Sequence, residues 1–197
     1  MSNQNMAPNV TVRIAQEVSG EQKESVTIEN GTYSFFDLEL NKDYELKASY
    51  SDENPLQGVS TRDIIAIQKH ILGIEKLSDN YKLIAADVNK SASITARDIS
   101  DIRKLILGVN EKFEDCESWT FANSNYSFDP ANPFNYQDYI KISNLDKAMM
   151  ENDFVAIKMG DVTGEAGTGN AVTGQSRSNK VFGFELPQIS ANAGERI

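Results

Sequence analysis

One stretch of this chain occurs twice, and that repeat restricts the possible folds more than any other feature. Val59–Ile74 aligns with Ile94–Val109 at an offset of 35 residues without a gap, and eight of the sixteen positions are identical. Within each copy apolar residues recur at i, i+3 and i+7, as Ile64, Ile67 and Ile71 and again as Ile99, Ile102 and Ile106. This period places them on one face of a helix. Gly73 and Gly108 follow where a helix end favours a residue free to take positive φ. Two equivalent amphipathic helices are therefore predicted. Neither can bury its stripe alone, so the two are expected to share a core.

The residues ahead of each helix narrow the reading further. Asp87, Asn89, Ser91, Thr95 and Asp98 place oxygen side chains at positions 1, 3, 5, 9 and 12 of a twelve-residue loop, with Ser93 offering its carbonyl at position 7. Calcium takes six to eight hard oxygen ligands, and alternate residues of a tight turn point inward, which is why the spacing is two. In the same register the first copy offers Asp52, Asn54, Leu56, Gly58, Ser60 and Asp63. Leu56 has only a carbonyl to give. Ala92 and Gln57 stand at position 6, where glycine normally allows the sharp turn. Carboxylates are few, so affinities near the 10⁻⁴–10⁻³ M range of extracellular modules are expected, as an order of magnitude. Asp63 and Asp98 also fall in the first helical turn, where capping and the helix dipole favour a carboxylate without any metal.

Two such loops, each followed by a helix ending Ile-Leu-Gly, resemble a type I dockerin. The family's DxNxDGxxxxxD loop maps onto Asp87, Asn89, Ser91, Thr95 and Asp98, and less fully onto Asp52, Asn54, Ser60 and Asp63. The resemblance implies calcium as cofactor and a cohesin domain as partner. The partner contacts it implies are Thr61, Arg62 and Lys69 in one repeat and Ala96, Arg97 and Lys104 in the other. It also implies an extracellular or bacterial cell-surface setting, as a fragment of a longer protein, and a link to polysaccharide degradation. Phe154–Gly164 resembles the tail that follows dockerin pairs in large bacterial surface proteins. Asp161, in Gly-Asp-Val-Thr-Gly, looks like the first half of a third calcium loop, but no helix or closing carboxylate follows it, so turn chemistry is the leading reading there and metal binding the alternative.

The rest of the chain is β-like. Val10–Ile14, Ser25–Ile28, Thr32–Phe36 and Tyr44–Tyr50 read as four strands without an intervening helix signal. Asn30–Phe35 and Lys42–Leu46 resemble the last strands of prealbumin-like or immunoglobulin-like domains. The expected fold is α+β. Residues 1–51 form a small β-sandwich fragment, and residues 52–165 a dockerin-like pair of calcium-loop/helix units with an aromatic β-rich extension. Residues 166–180 are a flexible linker, and 181–197 the first strand of a following domain, faintly cohesin-like.

A net charge of −10 disfavours nucleic acid and anionic membrane, both of which reward basic clusters, and no apolar run is long enough to insert in a bilayer. One cysteine, Cys116, leaves no internal disulfide and no cysteine-rich zinc site. His70, the lone histidine, is expected to be structural. No nucleophile constellation is visible, so the chain reads as non-catalytic. A calcium-dependent assembly module, docking a cohesin-like domain or the adjacent β-sandwich, is the leading expectation. A calcium-stiffened spacer of an adhesin-like stalk is the second. A carbohydrate surface on Trp119, Phe121, Tyr126, Phe128, Phe134, Tyr136 and Tyr139 is the third.

Overall fold

The computed structural model describes residues 8–51, 54–147, 149 and 152–166. Along the chain lie β1 (Thr11–Gln16), β2 (Gln22–Val26), β3 (Tyr44–Ser49), α1 (Thr61–Ile71), α2 (Asn80–Ala86), α3 (Ala96–Ile106), β4 (Trp119–Asn123), β5 (Tyr139–Ile142) and β6 (Phe154–Lys158). Strands and helices are thus mixed, with two small sheets, an α+β arrangement. One sheet has the order β2-β1-β3-β5 and the other pairs β4 with β6, every pairing antiparallel.

The strand pairing crosses the boundary expected between residues 51 and 52. β5 belongs to the aromatic extension, yet it pairs with β3 in the register Tyr44↔Ile142 and Leu46↔Ile140. Alternation explains the join. Val12, Ile14, Tyr44, Leu46, Ile140 and Ile142 are all buried on one face, as a half-buried sheet with period two requires. Trp119 and Phe121 of β4 and Phe154 of β6 pack into the same core.

Thr32–Phe36 forms no strand. Tyr33 and Phe35 alternate inward into that core and meet edge-on, with ring centroids 5.8 Å apart. The segment nevertheless lies outside the ladder: the Ser34 amide donates to a side chain, Ser25 Oγ, at 3.3 Å. Burial produces the strand-like alternation here without strand pairing.

The helices form a second core. Ile64 and Ile67 of α1, Ile99, Ile102 and Leu105 of α3, and Ile84 and Ala85 of α2 are buried together with Phe113, Met159 and Val162. Burying one such isoleucine contributes about 1.5–3 kcal/mol. The stripe is shorter than the repeat suggests, since Ile71 is 42% exposed and Leu105, rather than Ile106, closes the seam on α3. Both helices end alike. Gly73 (φ 69°) and Gly108 (φ 67°) take the left-handed conformation. Gly73 N donates to His70 O and Ile74 N to Lys69 O, while Gly108 N donates to Leu105 O and Val109 N to Lys104 O. This is the Schellman pattern. The short α2 was not anticipated; its signal was Asp79, whose side chain caps the helix by accepting from Lys82 N at 2.9 Å.

Candidate calcium loops

Each repeat helix opens with a reciprocal cap. Ser60 accepts from Arg62 N while Asp63 Oδ2 accepts from Ser60 N at 2.8 Å and Ser60 Oγ at 3.1 Å. Thr95 and Asp98 repeat the arrangement at the same distances ahead of α3. Position 12 of each loop is thereby aimed back across the loop by the helix start itself.

The second loop gathers its expected residues. Asp87 Oδ1 accepts from Ser91 N at 2.9 Å, and Oδ2 from Ala92 N at 2.8 Å. Asn89 Oδ1 accepts from Ser91 N at 3.0 Å, and Asn89 N donates to Asp98 Oδ1 at 3.3 Å. Ser91 Oγ lies 3.1 Å from Ser93 O and 3.4 Å from Asp87 Oδ1. Lys90 (φ 51°) and Ala92 (φ 58°) both take positive φ, so the turn that glycine normally makes is made here by an alanine held against its preference. Burial pushes the Asp87 carboxyl above the usual carboxylate range, opposed by the Ser91 and Ala92 amides and reinforced by the charge of Asp98.

The first loop is built differently. Asp52 lies outside the described residues. Asn54 and Leu56 are exposed and stand in a turn, with Gln57 N donating to Asn54 O and Val59 N to Leu56 O at 3.0 Å each. Asp63 turns instead to the segment after β6. Its Oδ1 accepts from Val162 N and Thr163 N at 2.9 Å each and from Thr163 Oγ1 at 2.8 Å. Asp161, just before them, accepts from Gly164 N at 2.6 Å and Glu165 N at 3.1 Å on Oδ1 and from Ala166 N at 2.7 Å on Oδ2. Burial pushes its carboxyl up as well, against those three amides, and Asp63 adds to the effect. Ala166, where a linker was expected to begin, is buried, and its carbonyl accepts from Gln57 Nε2 at 2.8 Å. The remainder of the expected linker and the strand expected over 181–197 lie outside the described residues.

Asp63, Asp87, Asp98 and Asp161 are the buried carboxylates among the described residues, at 0%, 5%, 0% and 1% exposure. None has a cationic partner there; the ion pairs lie elsewhere, as in Arg62–Glu165 and Arg97–Asp115. Buried charge without a counter-charge is costly even when hydrogen-bonded. Asn89 Nδ2 is also buried without a partner among those residues. An all-oxygen donor set around two buried carboxylates suits a hard divalent cation. No group of three or more His, Cys, Asp or Glu side chains gathers among the described residues; the second loop brings two carboxylates together, and near Asp63 and Asp161 the third, Glu165, is turned to Arg62.

Residues 50–107 match the family model of the dockerin type I domain. That match covers both repeat helices and the whole second loop, and it ends before the 161–166 segment. Type I dockerin domains bind calcium through EF-hand-like loops and act as non-catalytic protein-docking modules, found in extracellular or cell-surface bacterial proteins. No curated protein and no solved structure matches the chain. No helix among the described residues is long and apolar enough to cross a membrane.

The expected partner contacts lie at the starts and ends of the repeat helices. Thr61, Arg62, Lys69, Ala96 and Arg97 are exposed and Lys104 is half-buried. Arg62 pairs with Glu165, Lys69 with Glu75, Arg97 with Asp115, and Lys104 with Asp101. His70 Nδ1 accepts from Leu77 N at 3.1 Å. Burial pushes the Cys116 thiol up to about 12. Trp119 and Phe121 are core residues, and Tyr126, Phe128, Phe134, Tyr136 and Tyr139 are half-buried. Phe128 meets Tyr81 and Tyr126 edge-on at 5.3 and 5.4 Å.

Proposed function

We propose that the chain is a calcium-stabilised docking module of a bacterial surface or secreted protein. Asp87, Asn89, Ser91, Thr95, Asp98 and the Ser93 carbonyl hold calcium, and a cohesin-like domain docks across the two repeat helices. The observation that supports this most is the facing pair Asp87 and Asp98, both buried and without a cationic partner among the described residues, inside a segment that matches the dockerin type I domain. A divalent cation at that point offsets both charges and takes the oxygens that the spacing supplies. Thr61, Arg62 and Lys69, with their repeat counterparts Ala96, Arg97 and Lys104, are the contacts the partner would use. The two equivalent caps place Arg62 and Arg97 alike, one residue before each closing aspartate.

The second reading, a calcium-stiffened spacer, draws on the β3–β5 pairing, which ties the helical unit into the N-terminal sheet. Pull-down against a panel of type I cohesins, in calcium and in EDTA, separates the two. Docking predicts capture in calcium that is lost in EDTA and in the Arg62→Glu/Arg97→Glu double variant. Calcium-dependent melting with no capture from the panel sinks docking and leaves the spacer. Melting and helicity that ignore EDTA sink both.

A further inference from the structure

We propose that a second calcium site is assembled from two distant stretches of the chain, residues 161–166 supplying the entering half of the loop and residues 58–63 the closing half. The proposal rests on the calcium reading of the second loop but is separable from it, since it concerns a different set of ligands.

The second loop serves as an internal standard. Asp87-Val-Asn-Lys-Ser-Ala92 and Asp161-Val-Thr-Gly-Glu-Ala166 share their first, second and sixth residues. Their backbones run alike. Asp87 accepts from the amides four and five residues on, and Asp161 does the same with Glu165 and Ala166. The fourth position takes positive φ in both, Lys90 at 51° and Gly164 at 84°. The closing halves also coincide: Asn89 N donates to Asp98 Oδ1, and Thr163 N to Asp63 Oδ1. Ser60 and Thr95 donate through amide and hydroxyl to the other oxygen of the same aspartates.

The two differ at the sixth position, where Ala92 takes positive φ and Ala166 does not, and in the covalent link between the halves. Ala92 is bonded to Ser93, whereas Ala166 simply abuts Gly58, so tightly that a Cβ on Gly58 would sit 2.2 Å from Ala166 Cα. Gly58 therefore stands where Ser93 stands, with no room for a side chain.

This register assigns Asp161, Thr163, Glu165, the Gly58 carbonyl, Ser60 and Asp63 as ligands. It replaces Asp52, Asn54 and Leu56, and so removes the apolar residue from a ligand position. It also supplies the closing carboxylate that Gly-Asp-Val-Thr-Gly lacks in sequence. Glu165 holds the position that Ser91 fills in the other loop, so the composite site has the higher carboxylate count and binds more tightly once Glu165 leaves Arg62. The ligands Asp63 and Thr163 are 100 residues apart. An ion between them closes that long loop, and metal clips gain most where the loop is long.

Calcium titration of the metal-stripped full chain, with stoichiometry counted by native mass spectrometry, tests this. Two ions are expected for the wild type, one for Asp161→Asn, one for Asp87→Asn, none for the double variant and two for Asp52→Ala. Asparagine keeps an acceptor for the turn amides, and circular dichroism checks that each variant is folded. Calcium is also expected to slow hydrogen exchange at Val162 and Thr163, and not to do so in Asp161→Asn. Three results overturn the proposal: Asp161→Asn keeping two ions, Asp52→Ala losing one, or a wild type that binds a single ion removed by Asp87→Asn. The last would make residues 161–166 a metal-free hydrogen-bonded staple. A wild type that binds no ion refutes the second-loop reading itself, and this proposal with it.

Discussion

Replacing Gly58 by alanine separates backbone strain from contact, because three glycines share a conformation and differ in their surroundings. Gly58, Gly73 and Gly108 have φ of 77°, 69° and 67°. A Cβ in this region costs about 1–2 kcal/mol in strain at each. At Gly73 and Gly108 the added Cβ meets nothing within 4 Å. Strain is then the whole effect. At Gly58 it meets Ala166 Cα at 2.2 Å, N at 2.3 Å and Cβ at 2.5 Å, two of them backbone atoms that no rotamer change can move. Overpacking of this kind adds about 1–3 kcal/mol. Gly58→Ala should thus cost about 2–5 kcal/mol in all, and it has one route of relief, which is to push 162–166 away from Asp63. Urea unfolding of the three variants in EDTA measures the energies, and hydrogen exchange at Val162 and Thr163 reads the relief. The extra cost corresponds to roughly 2–12 °C in melting temperature for a chain of this size. Equal losses at all three glycines, with unchanged protection at 162–163, would refute the close approach and the argument built on it.

Other outcomes follow from the same geometry. With Kd near 10⁻⁴–10⁻³ M, raising calcium to about 10 mM should stabilise the fold by about 1.4–2.7 kcal/mol per site, seen as a melting shift that EDTA reverses. Ile67→Ala and Ile102→Ala, both at fully buried positions of the helical core, should each cost about 2–5 kcal/mol by urea unfolding; a loss under 1 kcal/mol at either would contradict the packing described. The Cys116 thiol is held up by burial, from 9.0 to about 12. Its contribution to stability is therefore complete below pH 9 and lost as pH rises from 9 to about 12. Alkylation at pH 8 should be slow in the folded chain and fast in urea, and equal rates would place the thiol at the surface.

Short-range signals were legible in the sequence. The repeat, its period and its glycine stops place α1 and α3 correctly, because helix periodicity and the Schellman end are decided within a few residues. The capping aspartates and the contacts among Asp87, Asn89, Ser91 and Asp98 follow for the same reason: these residues lie within one continuous stretch of twelve. The missed α2 carried only a single cap as its signal. The false strand at 32–36 shows that alternation reports burial, and a ladder needs partners that alternation does not name.

What only the tertiary structure decided is which distant segments meet. Nothing local to Tyr139–Ile142 says that it joins a sheet begun at Thr11, and nothing local to Asp63 says that its Oδ1 belongs to Val162 and Thr163. Those pairings are chosen by the burial of apolar faces and by the need of buried carboxylates for donors, and both are properties of the packed whole. The repeat by itself determined that a loop would close on Asp63. The folded chain determined that Val162 and Thr163 donate to it.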